Sequence, residues 1–138
     1  AFHEADYVSH VCDPPSNAWT SLVELLQTYS AMNGIDPMIG RKLPRLLRAA
    51  GLTDIRVNPV IHVYPPDHGR RNLLLDFSEN LSERLVAQKL IGESELTGLK
   101  AELSRHLANP DTLVVSHLYF QAWGRKPSSG RSEGPRQT

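Results

Sequence analysis

A chain of 138 residues is long enough to enclose one hydrophobic core and too short for two. With 40% hydrophobic and 22% charged residues it has the composition of an ordinary globular protein, which excludes a fibrous or wholly disordered chain. Fifteen basic side chains balance fifteen acidic ones, so no global field draws it to nucleic acid or to an anionic membrane.

The one cysteine, Cys12, can form no intrachain disulfide and seeds no cysteine-rich zinc site, which favours a reducing compartment. No stretch approaches the roughly 18 apolar residues of a membrane helix, and the first residues carry neither the basic nor the apolar region of a signal peptide. A cytoplasmic location is the expectation.

Residues 1–11 read as a strand through Phe2, Tyr7, Val8 and Val11, closed by Cys12-Asp13-Pro14-Pro15 because proline donates no ladder hydrogen bond. Ser16 or Asn17 can cap a helix in which Leu22, Leu25, Leu26 and Tyr29 form one apolar stripe, ending near Met32-Asn33-Gly34. A second helix is expected over 39–50, with Leu43, Leu46 and Leu47 on one face and Arg41, Lys42, Arg45 and Arg48 elsewhere. Pro44 fits best in a first turn, so the regular helix should begin close to it, and Gly51 should terminate it.

Over 55–64 the period changes to two. Ile55, Val57, Pro59, Ile61 and Val63 point one way and Arg56, Asn58, Val60, His62 and Tyr64 the other, with Pro59 arguing for an edge position or a bulge. A turn at 65–69 leads into a helical region divided at Gly92, its second part capped by Ser94 and carrying Leu96, Leu99, Leu103 and Leu107. Residues 112–123 make the strongest strand, and the chain after Pro127 reads as a disordered tail, 128–138. Whether the last two strands pair is not decided by their order.

Three runs resemble parts of a known family. Gly40-Arg41-Lys42-Leu43-Pro44-Arg45-Leu46-Leu47-Arg48-Ala49-Ala50-Gly51-Leu52-Thr53-Asp54-Ile55-Arg56-Val57 resembles the last large helix and sixth strand of class I S-adenosylmethionine-dependent methyltransferases. Phe120-Gln121-Ala122-Trp123-Gly124-Arg125-Lys126-Pro127 resembles the seventh strand and its exit, and Phe2-His3-Glu4-Ala5-Asp6 the fifth. The resemblance covers about residues 1–127 and implies a partial Rossmann-like α/β fold: three strands with packed helices and a helical insertion before the last.

The glycines form no G-x-G-x-x-G pattern, and the family's first four strands have no counterpart. The resemblance therefore places S-adenosylmethionine binding upstream of Ala1, in a full-length parent, with no cofactor expected on this chain alone. The segment is expected to supply acceptor contacts and a cover, and to be inactive by itself because methyl transfer needs two aligned binding surfaces. The implied partners are a small-molecule acceptor and either a homodimer mate or the missing amino-terminal half. A non-catalytic oligomeric or protein-binding module is the competing reading.

The candidate chemistry is sparse. Glu4 and Asp6 share a strand face and can contact an acceptor, though two carboxylates do not define a metal site. His10 can remove a proton from an acceptor hydroxyl, although a lone histidine at a strand end is more often structural. Cys12 has no histidine partner assignable from sequence. His62 and Tyr64 can stack on an acceptor ring or simply complete an amphipathic strand. Arg70, Arg71 and Asn72 can bind a carboxylate or phosphate, or form a solvated cationic corner. Residues 73–90 resemble the lid through which these enzymes select acceptors, with core or dimer surface as the alternative.

Overall fold

The computed structural model describes residues 1–129; most of the tail expected over 128–138 lies outside the described residues. The chain is mixed α/β. In order it forms strand β1 (Phe2–Asp6), strand β2 (Val11–Asp13), helix α1 (Asn17–Met32), helix α2 (Ile39–Ala49) and strand β3 (Thr53–Val60). A 3-10 turn (Gly69–Asn72) then precedes α3 (Leu73–Asn80), α4 (Ser82–Ala87), α5 (Glu93–Ala108), β4 (Leu113–Val115) and β5 (Leu118–Arg125).

The main sheet has the order β1-β5-β3. Both flanking strands run antiparallel to β5, with Phe2 opposite Ala122 on one side and Val57 opposite Ala122 on the other. β1 and β3 are consequently parallel to each other. Pro59 sits in β3, which pairs only with β5 among the described residues, in line with the edge position expected for it. The strands expected over 55–64 and 112–123 do pair.

Each of the three expected strands is shorter than its hydrophobic pattern suggested, and each is interrupted by side chains competing for the backbone. The first breaks at residues 7–10, where Asp6 Oδ1 accepts from Val8 N at 3.1 Å and Asp6 O accepts from Ser9 Oγ at 2.7 Å. The last breaks at Ser116-His117, where Ser116 Oγ accepts from His62 N at 2.8 Å and donates to His117 O at 2.8 Å. β3 ends at Val60, and beyond it Val63 makes only an isolated bridge to Val115. A second, two-stranded sheet of β2 and β4 follows these breaks. The sequence pattern shows apolar alternation but not the local hydroxyls and carboxylates that cut it.

α1 is capped as expected, Ser16 Oγ accepting from Trp19 N at 3.4 Å, and Gly34 carries φ 68 just past the helix end. α2 begins at Ile39, not at Pro44, which lies inside it. Pro44 gives up one intrahelical bond, and the burial of Leu43 and Leu47 against Ala122 of β5 holds the helix in register across it. Gly40 permits the close approach: a Cβ there would lie 2.8 Å from the backbone carbon and oxygen of Ala5. α5 starts at Glu93 after Gly92, with no side-chain cap, so Ser94 does not play the capping part expected of it.

Two cores result. One joins α2 to the main sheet. The larger unites α1 with the helical insertion, burying Leu22, Leu74, Leu85, Leu96, Leu103 and Leu107. Full burial of such side chains contributes about 1.5–3 kcal/mol each relative to exposure, which explains why α3 and α4, too short to persist alone, are ordered here. No helix among the described residues is long and apolar enough to cross a membrane.

Candidate functional site

The break between the two sheets gathers polar side chains beside an apolar cavity. The 7–10 turn is tied to the loop before α2 by Tyr7 N donating to Pro37 O at 2.8 Å, and to β5 by Leu118 N donating to Ser9 Oγ at 2.8 Å. Between this turn and the helices lies a cavity of about 330 Å³, within the range typical of small-molecule sites. Val23, Leu26 and Tyr29 of α1 form one wall and Leu74, Phe77 and Leu81 of the insertion the opposite one, with Tyr7 and His10 between them. Ring contact fixes Tyr7: its edge meets Phe77 at 5.8 Å and His117 at 4.9 Å between centroids.

His10 is the sequence candidate that reaches this cavity. Its ring lies 4.5 Å from that of Trp19 and stacks at 4.5 Å on His117. Burial, and secondly the neighbouring His117, push its pKa down to about 3. Burial likewise lowers His117 to about 4, partly opposed by Asp6. Both imidazoles are therefore neutral near pH 7. A base that weak has little driving force for proton abstraction, and the arrangement suits His10 to hydrogen bonding and ring contact better than to general-base work. His10, His117 and Tyr64 line a second, far smaller cavity, and their Nε2, Nδ1 and hydroxyl atoms are buried without a protein partner.

The other sequence candidates are dispersed. Glu4 is exposed on β1, whereas Asp6, 1% exposed, pairs with Arg41 of α2 and closes the 7–10 turn. Its carboxylate is thereby engaged in holding the turn that carries Tyr7 and His10. His62 is exposed and Tyr64 is buried; Tyr64 stacks on His68 at 4.9 Å rather than presenting an open face.

Arg71 is not at a solvated corner. It is 3% exposed and donates to the carbonyls of Leu107 (2.8 Å), Tyr64 (3.2 Å), Asn109 (2.8 Å) and Thr112 (2.5 Å). Four of its five N–H groups are thus committed to backbone, joining the end of α5 to the entry of β4 and leaving no fork for a ligand anion. Asn72 is exposed beside it at the start of α3. Burial raises the Cys12 thiol pKa, against the opposing charge of Arg71, so it stays protonated near neutrality and lacks nucleophilic character. Among the described residues no three His, Cys, Asp or Glu side chains cluster as a metal site.

Several cavity residues escaped the sequence reading. Tyr7, Phe77, Gln27 and Arg84 had been absorbed into strand and helix patterns, and only residues 73–90, read as an acceptor-selecting lid, pointed to this place. Comparison with known proteins gives no match to a family model and none to a curated protein.

Proposed function

We propose that this chain is the carboxy-terminal, acceptor-binding part of an S-adenosylmethionine-dependent methyltransferase acting on a small molecule. The observation that supports the reading best is the sheet order: a last strand inserted antiparallel between two mutually parallel strands, so that the three segments read as fifth, sixth and seventh strands share one sheet. The cavity between α1 and the insertion supports it further, because residues read as an acceptor-selecting lid contribute to its apolar lining.

In this reading Tyr7 and His10 contact the acceptor, and α3 and α4 cover it. S-adenosylmethionine supplies the methyl group from a site upstream of Ala1, in a cytoplasmic parent protein. The chain alone binds no cofactor and transfers no methyl group, since alignment of sulfonium and nucleophile requires both walls.

Extension of the reading frame upstream tests this directly: a strand followed by a glycine-rich turn is expected within one domain's length. Calorimetric titration of the 138-residue chain with S-adenosylmethionine should give no binding heat, and the extended protein should bind saturably. An upstream sequence without such a turn, or tight cofactor binding by the short chain, would overturn the assignment. The competing reading, a non-catalytic oligomeric module, draws on the outer edges of β1 and β3, neither of which pairs with another strand among the described residues. Sedimentation of the extended protein as a monomer that binds cofactor would dismiss it.

A further inference from the structure

The cavity at Tyr7 and His10 does not end at α1. A second depression of about 380 Å³ follows it along the helix, lined by Val8, Ala31, Gly34 and Met38. The two share Gln27, Ile35, Asp36 and Pro37 in their linings, so they are neighbours along a trough between α1 and the loop that precedes α2. Its lining is chiefly apolar, and Ile35 at the junction is 52% exposed, an aliphatic side chain held in water beside an apolar channel.

Each charge that lines the trough is either paired or open to solvent, where water screens it. The Asp36 carboxylate bonds to Lys42 and accepts from Met38 N at 3.0 Å, contacts that hold its pKa below the usual range and leave it ionised but paired. His10 is neutral near pH 7. Arg84, an exposed residue of the lining, lies beside the Tyr29 hydroxyl.

We propose that this trough binds an elongated, uncharged molecule, a hydroxyl-bearing ring at Tyr7 and His10 followed by an aliphatic chain that lies between Ile35 and Ala31. That it is the methyl acceptor rests on the function proposed above; the binding itself does not. A ring in the inner cavity makes contact with Phe77 and Tyr7, whose faces and edges are already disposed for aromatic packing. The chain replaces water over Ile35 and Val8, and each buried methylene adds roughly 0.8 kcal/mol.

The test is calorimetric titration of the 138-residue chain at pH 7.5 with phenol, 4-hexylphenol and 4-hexylbenzoate. 4-Hexylphenol should bind at least tenfold more tightly than phenol and more tightly than the carboxylate. Ala31→Trp, at an exposed position on the trough, should weaken 4-hexylphenol at least tenfold, whereas Ala101→Trp, exposed on α5 away from it, should not; circular dichroism verifies that both variants fold. Equal affinity for phenol and 4-hexylphenol, no binding of 4-hexylphenol, preference for the carboxylate, or indifference to Ala31→Trp would each overturn the proposal. If 4-hexylphenol binds as stated while the extended protein neither binds cofactor nor methylates, the methyl-transfer reading fails and the trough stands.

Discussion

The imidazoles of His10 and His117 lie stacked, centroids 4.5 Å apart and planes 25° from parallel, one from the turn after β1 and the other from the break before β5. Stacking of this kind tolerates two neutral rings and opposes two charged ones. Trp19 lies 4.5 Å from His10, Tyr7 meets His117 edge-on, and Asp6 is the acidic group that acts on His117.

Stability should therefore fall on acidification. Both folded-state values, about 3 and about 4, lie below the ordinary histidine value, so the unfolded chain binds more protons over the interval between. The contribution of the pair is complete above about pH 6.5 and is lost progressively as pH falls toward 4 and then 3. Urea unfolding at pH 7.5 and pH 4.5 should differ by roughly 2–3 kcal/mol for each histidine. His117→Phe should flatten that slope; an unchanged slope would refute the assignment.

Arg71 should behave as a structural residue. Arg71→Met removes a donor from four carbonyls, of which Asn109 O keeps Thr112 N at 3.1 Å, and a loss of about 3 kcal/mol is expected in urea unfolding. Arg71→Lys should recover only part of it, because an ammonium lacks the planar fork that spans Leu107, Asn109 and Thr112. Full rescue by lysine would contradict the role.

Two glycines should respond in opposite directions. Gly40→Ala forces a methyl group to 2.8 Å from the Ala5 backbone and should cost about 1–3 kcal/mol by lifting α2 from β1. Gly98 lies within α5 with nothing inside 4 Å of a Cβ, so Gly98→Ala should stabilise by about 0.5–1 kcal/mol. Thermal melts of the two variants decide the point.

Removal of Arg41 should harm the fold more than its exposure suggests. The side chain is 50% exposed, but its partner Asp6 is at 2%, and Arg41→Ala leaves that carboxylate buried with only Val8 N as a side-chain partner. A loss of about 3 kcal/mol is expected, with Asp6→Asn in the same background restoring part of it. A double-mutant cycle in urea measures the coupling.

Much of the framework was written locally in the chain. Ser16 acts on Trp19 three residues on, the α1 stripe repeats every turn, Gly34 and Gly51 take positive φ where helices end, and Pro59 marks an edge strand. Each signal spans a few residues, so composition and spacing expose it. The trough was only partly legible: residues 73–90 pointed to it, but Tyr7 read as one more strand aromatic and His10 as a strand end.

Tertiary structure alone decided the rest. Leu118 N finds Ser9 Oγ across 109 positions, and Arg71 finds Thr112 O across 41; no spacing rule anticipates such partners. Those contacts cut the three expected strands into two sheets and turned a cationic corner inward. The physical reason is that periodicity reports which face of an element is apolar, whereas the fate of a buried polar group depends on whichever distant backbone atom the folded chain brings within about 3 Å of it.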